Sequence, residues 1–442
     1  MNAALLFSRG RAAGMWLTVL IAFSCLLLLC AGTATAAPTL DKSFGKDGFA
    51  SPSVFPHGKT SQMVRGVAIQ SDGKLVVAST LGFKYGHRER RPLIRLNTDG
   101  SRDRTYGYKG VAWIRAAGAA HVTLYGVKTL PDDGTLVWGG YRFTEPRSYW
   151  EDDGYFLAKL DSEGVVDKQF GTNGARRFSL DLPRHDSELL DIGVTGDGGV
   201  LATSTTYSLK SGQEKLRMTR FLPDGSVDRT FARNGTRTLP LDYKSVHHTV
   251  AVGGSFAYLL VALSDKCFVR RFNLLAGGVD DTSYGISGVA TVGVTGAKGS
   301  TSFCLGLNVS PTGIAQIHGA FREEDSEERG FVERRKSDGS SDEGFGRGGI
   351  AKFKTLGTVG DAVIAPGGGV IASGYCRFDN VCLAALDPAG QPAHVFGARS
   401  FLDLGPSRSV EFLTANATSV AGVLDDYGSE DLPSSKIVRL TN

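Results

Sequence analysis

One unit is written seven times along this chain, and that repetition constrains the fold more than any other feature. An aromatic residue and a small one follow a "DGS-x-D" type turn at Phe44-Gly45, Tyr106-Gly107, Phe170-Gly171, Phe231-Ala232, Tyr284-Gly285, Phe345-Gly346 and Phe396-Gly397. The steps between these landmarks are 62, 64, 61, 53, 61 and 51 residues. A second landmark is an apolar strand, a tight turn and another apolar strand, best seen in "VAIQSDGKLVVAS" from Val67 to Ser79. A third is the strand that leads into the next turn, from "LIRLNTDG" to the terminal "KIVRLTN". Each landmark occurs seven times.

The chemistry of the unit is antiparallel β. Asp-Gly and Gly-Gly pairs between apolar runs signal tight hairpins, and a type I′ turn with positive φ at both central residues is expected there. No segment beyond the first 36 residues keeps a helical period for more than about two turns. The first copy reads as four strands, Gly66–Gln70, Lys74–Ser79, Leu93–Asn97 and Gly110–Arg115.

The ends of the chain choose between a propeller and a solenoid. The last copy stops at its third strand, Ile437 to Leu440, while residues Leu40 to Phe55 match the segment that follows the third strand in every other copy. Pairing that N-terminal strand onto the last blade would close a ring and cover its exposed edges. The expected fold is therefore an all-β, seven-bladed propeller of four-stranded antiparallel blades. With 442 residues two or three domains would be usual, but the ring makes residues 37–442 one domain. An apolar fraction of 41% excludes disorder along the whole chain.

The pattern "VAIQSDGKLVVAS … LIRLNTDGSRDRTYGYKG" resembles the delta-60 repeat family over residues 40–442, most clearly in copies one, two, three and five. Copy four departs, with Gly253-Gly254 and Gly277-Gly278 in place of the Asp-containing turns. The resemblance implies an exported bacterial β-propeller-like protein and transfers no catalytic residue.

Residues 1–36 read as a signal peptide: Arg9 and Arg11, an apolar run from Met15 to Cys30, then Ala34-Thr35-Ala36. The expected address is periplasmic, cell-surface or extracellular. The formal net charge is +4, two of which are Arg9 and Arg11, so the rest is near neutral and argues against a nucleic-acid partner. Four cysteines follow the signal, and an even number in an oxidising compartment suggests disulfides. Cys376 and Cys382 flank a short turn, which leaves Cys267 and Cys304 to pair across neighbouring repeats.

In a propeller the hairpin turns within each blade share one face, and the longer 2–3 loops and crossovers share the other. Binding residues concentrate on loops held by rigid frames, so the second face is the candidate surface. The first blade offers Arg88 and Arg90 there, beside Lys84, His87 and Arg91. The second offers Tyr141, Arg142, Phe143, Arg147, Tyr149 and Trp150, and Tyr, Trp and Arg commonly anchor interfaces. Acidic stretches at Glu323 to Glu328 and at Asp425, Asp426, Glu430 and Asp431 suit solvation. None matches a calcium loop, and no metal or cofactor is expected.

No G-x-S-x-G, H-E-x-x-H or phosphate loop occurs. His121, His247 and His248 are placed just before their inner strands, where packing roles are common. The leading expectation is a monomeric, non-enzymatic binding or scaffold propeller that recognises a protein or glycan. An exported polysaccharide lyase or hydrolase is the alternative.

Overall fold

Short aliphatic and β-branched runs broken by glycine turns pair with their sequence neighbours, and the computed structural model of the protein is built almost wholly from such strands. It describes residues 38–442 apart from 54–59, 84–90, 144–153, 180–184, 241–244, 264–265, 294–300, 323–326, 377–379, 397–399, 427–433 and residues 117, 209, 212, 407 and 442. The signal segment proposed for residues 1–36 lies outside this set. Among the described residues there is no α-helix, and no helix long and apolar enough to cross a membrane.

The strands form a seven-bladed propeller of four-stranded antiparallel blades. Blade 1 comprises Thr60–Ile69, Leu75–Phe83, Pro92–Leu96 and Ala112–Trp113. The inner strands of blades 2 to 7 are His121–Thr129, His185–Val194, Ser245–Gly253, Thr301–Val309, Thr358–Ile364 and Arg408–Ala415. Inner strands thus begin several residues before the expected Gly66. A β-bulge carries blade 1 pairing past Val64/Gly66, so the polar residues from Thr60 onward still pair.

The C-terminal strand Ser434–Thr441 is the third of blade 7. Its free edge is covered from the N-terminus, by Thr39 and Leu40 opposite Thr441 and Leu440 and by Phe49 and Ala50 opposite Val438 and Ile437. Buried residues between blades form the core in successive clusters around the ring.

The first hairpin turn differs from the expected type I′. Its Gln70 N–H donates to the Lys74 carbonyl, and only Gly73 has positive φ, at 83°. This is a three-residue loop closing on one left-handed glycine. The Asp72 side chain explains the choice, because its Oδ1 accepts the Lys74 N–H at 2.9 Å and holds an Asx turn.

The recurring aromatic-glycine landmark joins blades. Phe44, Tyr106, Phe170, Phe231, Tyr284 and Phe345 are each at most 1% exposed. The residue after each donates its N–H to the 3–4 turn of the next blade, as in Gly107 to Glu163 at 2.7 Å and Gly45 to Asp99 at 2.8 Å. That turn must carry glycine: a Cβ on Gly164 would stand 2.7 Å from the Tyr106 ring.

A second device sits beside the landmark. In five of the seven copies the turn aspartate pairs with a cation on the preceding third strand: Arg95–Asp103, Lys159–Asp167, Arg220–Asp228, Arg271–Asp281 and Arg439–Asp41. Several of these cations also reach forward, Arg95 to the Ser162 carbonyl at 2.6 Å and Arg439 to the Thr98 carbonyl at 2.6 Å. In blade 5 Arg334 donates to the Pro388 and Gly368 carbonyls of blade 6. Blade 6 has Ala385 and Ala393 at the two positions, so both partners are replaced together, and only the backbone bond between them remains. Its seam with blade 7 is held by Asp361, which accepts the Leu413 N–H at 2.8 Å, and by Ser373, which donates to the Val410 carbonyl at 3.0 Å.

Candidate functional site

The second strand of blade 2, Thr135–Arg142, delivers a small aromatic–cation cluster to the loop face. Tyr141 is a strand residue rather than a loop residue. It is 7% exposed and packed in the core shared by blades 1 and 2. Phe143 follows at 52% exposure, with its ring centroid 5.2 Å from that of Tyr141 in an edge-on contact. Arg177, on the outer strand Ala175–Phe178, lies over both rings, 5.5 Å from Tyr141 and 5.2 Å from Phe143. Cation–π attraction steers this guanidinium without saturating its N–H groups. Among the described residues no carboxylate lies within ion-pair distance of Arg177, and its side chain is exposed.

Arg142 ends the same strand, and its carbonyl accepts the Ala120 N–H at 2.8 Å. Arg88, Arg90, Arg147, Tyr149 and Trp150 lie outside the described residues, as do Lys84 and His87. Arg91, expected in a loop, is 4% exposed and bonded through its backbone to Ile114. Asp425 belongs to the second strand of blade 7, where it is 8% exposed and accepts a hydrogen bond from the Ser435 hydroxyl. Phe143 is among the blade 2 loop residues named from the sequence, and Arg177 is not. Its only sequence signal is a basic residue late in the repeat.

The histidines lie within strands, not before them. His121 opens the inner strand of blade 2, and His247 and His248 are inside that of blade 4. His248 Nε2 stands 3.6 Å from Glu214 Oε1, and burial, then the neighbouring His247, lowers its pKa. His318 is 2% exposed on the second strand of blade 5, and burial pushes its pKa down to about 4, against a hydrogen bond to the Gly360 backbone. It fits there because Gly306 lies opposite; a Cβ at Gly306 would stand 2.2 Å from its ring.

The inner strands enclose a central cavity of about 350 Å³, lined by segments such as Val127 to Thr129, Asp191, Val250 to Val252 and Leu307 to Val309. Its polar groups are turned to neighbouring blades. Lys128 pairs with Asp191 at 3.4 Å and donates to the Ile192 carbonyl, Thr129 donates to the Ile69 carbonyl at 2.9 Å, and Asn308 donates to the Ala362 carbonyl. The described lining presents one cation and one anion, already matched. Between blades 6 and 7, burial pushes the Asp361 carboxyl up to about 7, with Glu411 acting in the same direction.

Two disulfides are present. Cys267–Cys304 joins the third strand of blade 4 to the inner strand of blade 5, with both residues at most 1% exposed. Cys376–Cys382 closes the 2–3 loop of blade 6.

Residues 70–106 and 195–231 match the family model described as "Domain of unknown function (DUF5122) beta-propeller". Both segments run from the first hairpin turn to the landmark aromatic, so they contain the Arg–Asp clasps of blades 1 and 3. No curated protein sequence matches the chain. Among solved structures the polysaccharide lyase Uly1 is similar at a TM-score of 0.50 and 11% identity, over 93% of this chain and 98% of the lyase. A protein of unknown function from Dyadobacter fermentans matches at 0.40 and 10%, over 89% and 99% of the two chains. The Dos1 propeller matches at 0.40 and 10%, over 89% and 95%. At these identities the likeness describes the fold alone.

Proposed function

We propose that this protein is an exported, non-catalytic binding propeller that recognises a glycan or protein partner through its loop face, with blade 2 as the anchor. One observation carries this reading: Arg177 is stacked on Tyr141 and the half-exposed Phe143, with no carboxylate partner among the described residues. A flat apolar ring beside polar N–H donors suits a sugar ring with its hydroxyls, or an aromatic and acidic side-chain pair on a protein. Arg147, Tyr149 and Trp150 follow Phe143 in the sequence and are included in this reading on their residue types alone.

A polysaccharide-acting enzyme, the activity for which Uly1 is named, needs acid–base groups gathered at a substrate cleft. Two of the described histidines are a poor source for them. His318 is sealed between blades and His248 faces Glu214. The binding reading is therefore preferred.

The test is a thermal-shift screen of the purified chain against oligosaccharides and soluble cell-wall fragments. A ligand at a hundred times its Kd adds about 2.7 kcal/mol. The expected result is a shift with at least one compound, lost in Phe143→Ala and Arg177→Ala, with no turnover of that compound. Release of unsaturated or shortened products would replace the binding reading by the enzymatic one.

A further inference from the structure

The two disulfides occupy opposite environments. Cys267 and Cys304 are 0% and 1% exposed and lie in an apolar cluster between blades 4 and 5. The other bridge sits at the loop-face corner of blade 6. Cys376, just past the second strand Val370–Tyr375, is partly exposed, while Cys382, on the third strand, is 0% exposed. Exchange requires a thiolate to reach a sulfur, so the second bridge is open to it and the first is shielded.

The outer strand of blade 6 adds a third group. Asp403 lies directly opposite Cys382 in the strand register. A carboxylate oxygen of Asp403 and the two sulfurs all lie within 4.8 Å of one another, and among the described residues no other three His, Cys, Asp or Glu side chains cluster in this way. The carboxylate is held in place: Asn380 Nδ2 donates to its two oxygens at 3.1 and 3.0 Å, and the Gly405 N–H donates to Oδ1 at 2.8 Å. Asn380 is itself fixed, because its carbonyl accepts the Cys376 N–H at 2.8 Å.

We propose that this corner is a redox-gated site for a borderline or soft divalent cation of the zinc class, closed while the bridge is intact and opened by a dithiol. In the opening step a thiolate of the external dithiol attacks Cys376 Sγ, the Sγ–Sγ bond breaks, and Cys382 leaves as a thiolate that takes up a proton. The second thiol of the reductant then attacks the mixed disulfide and frees Cys376. The protein bridge gains two electrons and two protons, and the dithiol becomes a disulfide. A divalent cation then displaces both thiol protons and binds two thiolates and the Asp403 carboxylate, with water completing four-coordination. Zinc with Zn–S near 2.3 Å and Zn–O near 2.1 Å spaces its ligand atoms about 3.5 to 4 Å apart, so once the bridge is broken the two sulfurs must part from bonding distance to that spacing, while the Asp403 oxygen starts within 4.8 Å of both. Thiolate ligands select zinc-like ions over calcium or magnesium.

The experiment uses the full chain, reduced with dithiothreitol without denaturant, freed of reductant under anaerobic conditions, and titrated with cadmium as the probe. The expected result is two free thiols per chain, one equivalent of cadmium bound with thiolate-to-cadmium absorption, and none bound by the oxidised chain. Cys382→Ser should abolish binding, and Asn380→Ala, which releases the carboxylate, should weaken it about tenfold or more. Asp403→Ala should weaken it at least as much. The Cys376→Ser/Cys382→Ser double variant should melt as a single folded species, which separates loss of ligands from loss of fold. The proposal is overturned if the bridge resists reduction in the folded chain, if the reduced chain binds no more cadmium than the oxidised one, or if Asp403→Ala binds as wild type does.

Discussion

The two faces of the ring use similar residues in opposite ways. On the tight-turn face Arg95 lies 5.0 Å over the Tyr106 ring and donates to Asp103, the Ser162 carbonyl and Glu163. On the loop face Arg177 also lies over aromatic rings, but no carboxylate or carbonyl among the described residues completes its shell. The first guanidinium is 2% exposed and has its charge matched inside the protein; the second is open to water. A repeated motif whose polar atoms are saturated by the neighbouring blade holds the ring together. A non-repeated cluster with unsaturated donors is where a partner can contribute contacts.

The largest effects should come from removing the ring-closing groups. Phe44→Ala empties a fully buried site where the N-terminal segment meets blade 1, and should cost about 3–5 kcal/mol, read as a lower thermal midpoint. Arg271→Ala leaves Asp281 without its cation and strips the Ser337 carbonyl of its donor. The expected loss is about 3 kcal/mol in denaturant unfolding. An unchanged midpoint in either variant would mean that the repeat motif does not hold the seams.

A smaller effect distinguishes the seam between blades 6 and 7, which lacks the clasp. The Asp361 carboxyl has a folded pKa raised to about 7 by burial, above its unfolded value. The folded state therefore holds a proton that the unfolded state has released between about pH 4 and pH 7, and stability falls as pH rises through that window. Asp361→Asn should flatten this part of the stability–pH profile. A slope equal to that of wild type would assign the pH dependence elsewhere. The smallest expected effect on stability is that of Phe143→Ala and Arg177→Ala, within about 0.5 kcal/mol, because neither side chain completes a core or a clasp.

The ring was legible because its signals repeat. Seven copies of the landmark and the phase shift at the ends point to a closed propeller, and the glycine after most of the aromatics reports the positive φ found at Gly45, Gly107 and Gly171, a conformation Ala232 adopts too. The clasp was equally present in the sequence. Arg95 and Asp103, Lys159 and Asp167, and Arg220 and Asp228 are each eight residues apart, and the paired change to Ala385 and Ala393 keeps that spacing. It was missed because the aspartate already had an explanation as a turn residue, and it serves both purposes: Asp103 Oδ1 accepts the Thr105 N–H while Oδ2 accepts from Arg95.

The site was less legible, because its members come from separate strands. Tyr141 and Arg177 meet only when the second and outer strands of blade 2 fold around Gly154 and Phe156, a pairing that no local pattern announces. Burial of Tyr141 was hidden for a related reason. Polar residues after Tyr141 read as the start of a loop, yet the strand continues through Arg142.

The most direct measurement places a clasp variant and a loop-face variant in one ligand-dependent melting experiment. Arg271→Ala should lower the ligand-free midpoint and keep the ligand-induced shift. The double variant Phe143→Ala/Arg177→Ala should keep the ligand-free midpoint and lose the shift. The account is contradicted if the loop-face variant still responds to the ligand as wild type does, or if the folded clasp variant is the one that stops responding.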